Sequence, residues 1–548
     1  MARLERDLEA LTPTQRQAVD APTPALCILA GAGSGKTRVL TLRVARRIDD
    51  GSAAADHTVV CTFTRRAASE LRSRLRAYGV PTALGTGAPA GGVPPGAGVR
   101  LGTLHQLALS LLRRRAADTG QAPPRLVEHR HRVLQSITGD PGAAAVLGGE
   151  IGWAKSRCLG PGEYGDAALR AGRRAAVAPA EVADGYRAYE EALRRRRAID
   201  LDDVLLAATD LVTGDPAFGD NVRWRYRHLA VDEFQDVNPA QFGLLRAVLS
   251  DRDDLTVVGD PDQAVYGWNG ADRGLILRLP ELLPTMEVVR LAENHRSTPQ
   301  IVTTASDALG RVGDAPRATR PAGPRPVVRS FADDTAEADG VAAVVAEWAA
   351  SGRSWSDIAV LARTNDQLST VAAALRRTGI PFRTAPGRES PVDEAPASGT
   401  GAGAGTRTGE GTGSGSGTRS GVGPATGAES GAGGDVVELV TFHRAKGLEW
   451  EAVCVIGLED GLVPIAFAVT PEERDEERRL LYVALTRAED ELCCTWAAAR
   501  RSSGGRLVER APSPWLDAVG LHAGTAVGGP RPVDTARRFA DLRSALGG

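Results

Sequence analysis

Lysine is what this chain of 548 residues almost lacks. Among 66 basic residues only three are lysines, Lys36, Lys155 and Lys446, and the others are arginines. Under so strong a bias, a surviving lysine marks a position where a planar guanidinium does not replace a compact ammonium. Lys36 and Lys446 fall inside motifs, whereas nothing around Lys155 assigns it a role. An excess of either charge is also lacking. The net charge is −2, so the chain as a whole does not advertise a polyanion partner, and any nucleic-acid surface must be local. The six cysteines form no CxxC pair and no metal-ligand spacing, which suits a reduced, cytoplasmic protein. No run of eighteen apolar residues occurs, and three of the first six residues are charged, with no apolar run among them. Neither a membrane span nor a secretory signal is expected.

What is present is enough apolar sequence, 42% of residues, to bury real cores over three to four domains. The stretch Ala30-Gly31-Ala32-Gly33-Ser34-Gly35-Lys36-Thr37 organises the rest. It follows an apolar run at 25–29 that reads as a buried strand, and precedes helical spacing at 38–44. Strand, glycine-rich turn and helix make the context of a phosphate-binding P-loop. Backbone N–H groups of Ala32, Gly33, Ser34 and Gly35 would surround a phosphate, helped by the helix N-terminus. Lys36 would reach the terminal phosphates, and the Thr37 hydroxyl would bind Mg²⁺. The first position is Ala where the strict pattern has Gly; a glycine-rich loop without ligand is the alternative.

Along the chain, Thr12 and Pro13 start a helix. A second strand at 58–64 runs into a basic helix, 65–76, and the Gly/Pro-rich stretch 79–98 reads as a loop. Residues 116–199 are mostly helical, with arginine clusters at 113–115 and 194–197 that suit either solvated faces or phosphate contacts. The α/β pattern resumes at 228–233 and 255–260. A second α/β set, with strands at 327–331, 358–362, 436–442, 453–456 and 492–496, carries no P-loop. Within it, residues 398–434 are almost wholly Gly, Ala, Ser and Thr, with fifteen glycines in 37 residues, and read as a flexible linker.

A P-loop needs carboxylates at a neighbouring strand end. Val231-Asp232-Glu233 supplies them: Asp232 to hold Mg²⁺ through water, Glu233 to orient and deprotonate the attacking water. Gln263, after another strand, can sense a γ-phosphate. Tyr266 and Trp268 follow in a polar loop; they suit base stacking on a single strand or packing on a neighbouring helix. Arg296 and Arg487 are candidates to neutralise charge developing in phosphoryl transfer.

With these residues in place, the chain resembles the UvrD/Rep/PcrA group of superfamily 1 DNA helicases. The matching stretches are 11–15, 30–37, 62–68, 102–105, 200–203, 231–241, 258–271, 291–297, 441–449 and 476–488, in the family's order over nearly the whole chain. The resemblance implies roles. Gln15 reads the adenine edge and Arg38 packs against the base. Gln263 senses the γ-phosphate, Arg296 and Arg487 reach it across a cleft, and Glu449 contacts the sugar. Thr62, Phe63, His105, Tyr266 and Trp268 line the single-strand track, with Thr441 and His443 near it. Three departures stand out. His295 replaces the family's adenine-stacking tyrosine, and Asn269 replaces an arginine. The linker stands where relatives insert an accessory domain, 2B.

The resemblance implies an α/β fold of two RecA-like P-loop NTPase domains with a helical insertion. Domain 1A takes 1–115 and 200–290, helical 1B takes 116–199, and 2A takes 291–390 and 435–520. Residues 391–434 are linker and 521–548 a weakly structured tail. The expected activity is an ATP- and Mg²⁺-dependent 3′-to-5′ DNA helicase or translocase in repair or recombination. It would be a monomer acting on single-stranded and 3′-tailed DNA. Two alternatives are a DNA-stimulated ATPase with little unwinding and a P-loop regulatory protein with weak hydrolysis.

Overall fold

The computed structural model describes residues 2–83, 98–384, 434–501 and 506–518. The 521–548 tail, nearly all of the 391–434 linker and most of the 79–98 loop lie outside the described residues. Two six-stranded sheets, parallel throughout, carry the rest. The first comprises β1 (Leu26–Ala30), β2 (Thr58–Cys61), β3 (Arg100–Gly102), β4 (His228–Val231), β5 (Leu255–Gly259) and β6 (Glu287–Leu291). Its spatial order is β3-β2-β4-β5-β1-β6. The second comprises β7 (Val327–Phe331), β8 (Ile358–Ala362), β9 (Phe382–Thr384), β10 (Val437–Thr441), β11 (Trp450–Val455) and β12 (Ala488–Ala497). Its order is β7-β12-β11-β8-β10-β9.

Helices cover both faces of each sheet, so central strands are apolar without alternation. Successive residues of β1 feed opposite cores. Cys27 and Leu29 join Leu107, Leu111 and Leu244. Leu26 and Ile28 join Val39, Leu42 and Leu75. In β8, Ala359 and Leu361 face one core and Ile358 and Val360 the other. Strands β3, β6 and β9, which the sequence pattern did not reveal, are all edge strands. β3 and β9 have three residues each, and β6 exposes Glu287, Val288 and Arg290.

Between β3 and β4, helices Leu104–Asp118 and Leu201–Gly214 complete a core of the first sheet. The helices from Arg130–Thr138 to Pro179–Arg195 bury a core of their own, with Leu134, Ile151, Tyr164, Val182 and Tyr189. Lys155 ties this helical unit to the first sheet. Its ammonium, 1% exposed, lies 2.6 Å from Asp203 Oδ1 and 3.1 Å from Asp200 Oδ2. Those two aspartates form the capping box of helix Leu201–Gly214. The lysine without a role in the sequence is a buried structural ion pair.

Candidate nucleotide cleft and nucleic-acid track

Because the first sheet is parallel, the carboxyl ends of β1, β2, β4, β5 and β6 lie along one edge, where open α/β sheets bind ligands. β1 runs directly into the glycine-rich turn. Gly33 (φ +70°) and Gly35 (φ +78°) hold left-handed conformations that L side chains resist. Helix Lys36–Asp49 begins at Gly35 with no side-chain cap, so its first N–H groups are left for an anion. The turn is braced from the exit of β6. Asn294 Nδ2 donates to the Ala32 carbonyl and the His295 N–H to the Gly33 carbonyl, both at 2.8 Å. A Cβ on Gly33 would lie 2.8 Å from Asn294 Nδ2 and from Arg296 Cβ, so glycine is required there on two counts. Asn294 was not foreseen from the sequence; its place beside the family-matched His295 and Arg296 was the available signal.

β4 delivers the carboxylates. The Thr37 hydroxyl donates to Asp232 Oδ2 at 3.1 Å, and Lys36 Nζ lies 3.5 Å from Glu233 Oε2. Glu233 has a positive φ of 55°, rare for a residue with a side chain. Burial, then the Glu233 charge, pushes the Asp232 carboxyl up to about 7. Burial would raise Glu233 too, but Lys36 and Lys446 overcome it and hold that carboxylate low and ionised. The Gln235 amide donates to Glu233 Oε2 at 2.5 Å, and its carbonyl oxygen accepts the Asp260 N–H at 2.9 Å. Gln235 thereby ties the end of β4 to that of β5. Gln263 donates to Asp260 Oδ2 at 2.7 Å.

Gln15 belongs to the capping box of helix Pro13–Asp20. Its Nε2 donates to the Ser34 carbonyl at 2.9 Å and lies 3.3 Å from His295 Nε2. Arg38 donates to the Asp7 carbonyl at 3.2 Å. Arg296 pairs with Glu449 at 2.5 Å. Arg487 is turned inward: 1% exposed, it donates to the carbonyls of Val483 and Leu448 at 2.9 and 3.0 Å. Burial, then the nearby Arg296 charge, lowers its pKa to about 9. Thus Gln15, the P-loop, Asp232, Glu233, His295, Arg296 and Glu449 converge, while Arg487 stands behind Arg296.

Four of the expected track residues, Phe63, Tyr266, Trp268 and His443, gather together, whereas His105 lies toward Asp200 and Asp202. Phe63 and Tyr266 stack with ring centres 5.2 Å apart, and His443 and Trp268 lie at 6.4 Å from Tyr266. Tyr266 is 9% exposed and Trp268 52%, so Trp268 is the ring that offers a face. Thr441 ends β10, and the buried Thr62 follows β2. Among the described residues, Thr62 Oγ1 and His105 Nε2 are buried polar atoms without partners.

A P-loop facing an aspartate–glutamate pair, with Arg296 beside it reaching Glu449 of the second parallel sheet, defines an ATP-hydrolysing motor of two tandem α/β domains. Residues 11–284 match the UvrD/REP helicase N-terminal domain, and residues 289–388 with 425–499 match the UvrD-like helicase C-terminal domain. The chain is 36% identical to ATP-dependent DNA helicase UvrD2 of Mycobacterium tuberculosis, over 93% of this chain and 82% of that protein. It is 31% identical to DNA helicase II of Escherichia coli, over 69% of this chain and 51% of that protein. It is 29% identical to ATP-dependent DNA helicase PcrA of Bacillus subtilis, over 68% and 50%. The chain belongs to the UvrD/Rep family of ATP-dependent DNA helicases. No helix among the described residues is long and apolar enough to cross a membrane.

Proposed function

We propose that this helicase is a monomeric, cytoplasmic 3′-to-5′ translocase on single-stranded DNA, working in repair or recombination and unwinding long duplex poorly by itself. The observation that carries the reading is the segment 260–268. At one end Gln263 is bonded to Asp260 in the nucleotide cleft; five residues on, Trp268 presents a half-exposed ring to the track. The direction of movement follows the family resemblance. The domain limits follow it too: 1A at 1–115 and 200–290, 1B at 116–199, 2A at 291–390 and 435–520.

Thr37 and Asp232 offer the hard oxygen donors that suit Mg²⁺, and their 3.1 Å separation fits a shared ion. When bound, that ion neutralises charge on the phosphate oxygens. The chain does the rest. Ala32 to Gly35 and Lys36 cradle the phosphates, and Glu233, kept ionised, takes a proton from water. Gln263 senses the γ-phosphate. Arg296 and Arg487 stabilise developing charge, exchanging Glu449 and the Val483 and Leu448 carbonyls for phosphate oxygens. Gln15, Arg38 and His295 flank the adenine site, and Glu449 the sugar. Thr62, Phe63, His105, Tyr266, Trp268, Thr441 and His443 form the track.

The test pairs ATPase with strand displacement on a 3′-tailed duplex, with a 5′-tailed control. DNA-stimulated hydrolysis with weak displacement of the 3′-tailed duplex alone is expected. Hydrolysis indifferent to DNA, or a preference for the 5′ tail, overturns the reading. Trp268→Ala should weaken single-strand affinity by about 1–3 kcal/mol while the DNA-free ATPase stays intact. An affinity that tracks only the folded fraction would assign Trp268 to packing instead.

A further inference from the structure

Lys446 crosses between the two sheets. It follows β10 of the second sheet, yet its bonds are made to the first. Its Nζ donates to both Asp236 carboxylate oxygens, at 2.8 and 2.6 Å, and to the Gln263 carbonyl at 2.7 Å. Asp236 lies three residues beyond Glu233, with its side chain 1% exposed. Gln263 is the residue whose amide faces the nucleotide cleft through Asp260. The same ammonium lies 5.1 Å from the centre of the Tyr266 ring, which stacks on Phe63. One group therefore touches the carboxylate segment, the γ-phosphate-sensing segment and the aromatic track, and it does so from the opposite domain.

The geometry explains why this position keeps lysine in a chain that otherwise uses arginine. Three acceptors within 2.8 Å use all three N–H donors of one nitrogen. A guanidinium spreads its donors over a plane and cannot converge them on the same three oxygens.

We propose that Lys446 is a positioning residue that couples DNA binding on the aromatic track to ATP hydrolysis in the cleft. When the second sheet moves against the first, Lys446 carries the motion into the Gln263 backbone and the Asp236 segment together. The proposal rests on the reading of the chain as a DNA-stimulated ATPase.

The experiment measures kcat and KM for ATP in the full chain, without DNA and with saturating oligothymidylate, for Lys446→Arg and Lys446→Met. The ratio of stimulated to DNA-free kcat should fall by about tenfold or more in both, as losing a hydrogen bond to a charged group implies. Asp236→Asn, which keeps the shape and removes the charge, should reproduce the loss from the other side; with Lys446→Arg it carries the test if Lys446→Met does not fold. A wild-type ratio in Lys446→Arg or Asp236→Asn overturns the proposal. So does a ratio that recovers fully on adding more DNA, which would show only a lost DNA contact. Absence of stimulation in the wild-type protein would instead refute the underlying reading of the chain.

Discussion

The two sheets contain the same local unit with opposite endings. Leu26–Ala30 and Ile358–Ala362 are both five-residue, fully buried apolar strands, and each leads into a fourteen-residue helix. In the first sheet the helix starts at Gly35 with no side-chain cap. In the second, the hydroxyl of Thr364 accepts the Gln367 N–H, and Gln367 returns a bond to the Thr364 N–H. A side-chain cap occupies a free donor at the helix start; an uncapped start leaves that donor for an anion. The difference shows what separates a nucleotide-binding domain from a partner domain of similar topology. The strand and helix are shared, and the turn between them either stays open for phosphate or closes.

The largest effect should come from breaking the open end. Lys36→Ala removes the ammonium that faces Glu233 and that we propose meets the phosphates, and should cut kcat by roughly 10²-fold or more. Arg296→Ala and Arg487→Ala should cost a similar factor, measured as DNA-stimulated ATPase at saturating ATP. Near-normal kcat in both arginine variants would make Arg296 and Arg487 structural pairs without a chemical role.

A smaller effect tests the turn itself. Gly33→Ala must adopt a φ of +70° and push its Cβ against Asn294 and Arg296 at 2.8 Å. Left-handed strain alone costs about 1–2 kcal/mol. Displacing the turn from its brace should raise KM for ATP by about tenfold, the equivalent of 1.4 kcal/mol. Gly79→Ala, at φ +78° with open space around it, carries the strain without the collision. It should lower stability and leave KM unchanged. Equal KM values in the two variants would show that the turn is not held by the β6 exit.

Much of this contrast is legible in the sequence, because phosphate binding demands a local string of glycines, Lys36 and Thr37. The Asp232-Glu233 pair is legible for the same reason. What escaped depends on pairs remote in the chain. Asn294 meets Ala32, Gln235 meets Asp260, and Lys446 meets Asp236 only when the strand order is known. Lys155 could be singled out by its rarity but not explained, since Asp203 reaches it only through folding. Arg487 was identified by resemblance. Its inward rotation onto Val483 and Leu448 reflects the depth of the second sheet's core, which no local pattern encodes. The missed strands are edge strands: β6 exposes three of its five residues, and β3 and β9 are only three residues long, so each carries a weak apolar signal.

The smallest effect lies at the closed end. Thr364 caps helix Asn365–Thr378, and its side chain bonds to Gln367 within the same capping box. Thr364→Ala removes the side-chain acceptor and should cost about 1 kcal/mol of stability, whereas Thr364→Gly should cost only a few tenths. For a domain of this size, 1 kcal/mol is a fall in Tm of about 2–4 °C, readable by calorimetry. KM for ATP should remain at the wild-type value in both, because the helix end that the cap closes binds no phosphate. A raised KM in Thr364→Ala at unchanged Tm would place this turn in contact with the nucleotide. The two sheets would then differ in degree rather than in kind, and the open-versus-closed distinction would have to be sought elsewhere than in the cap.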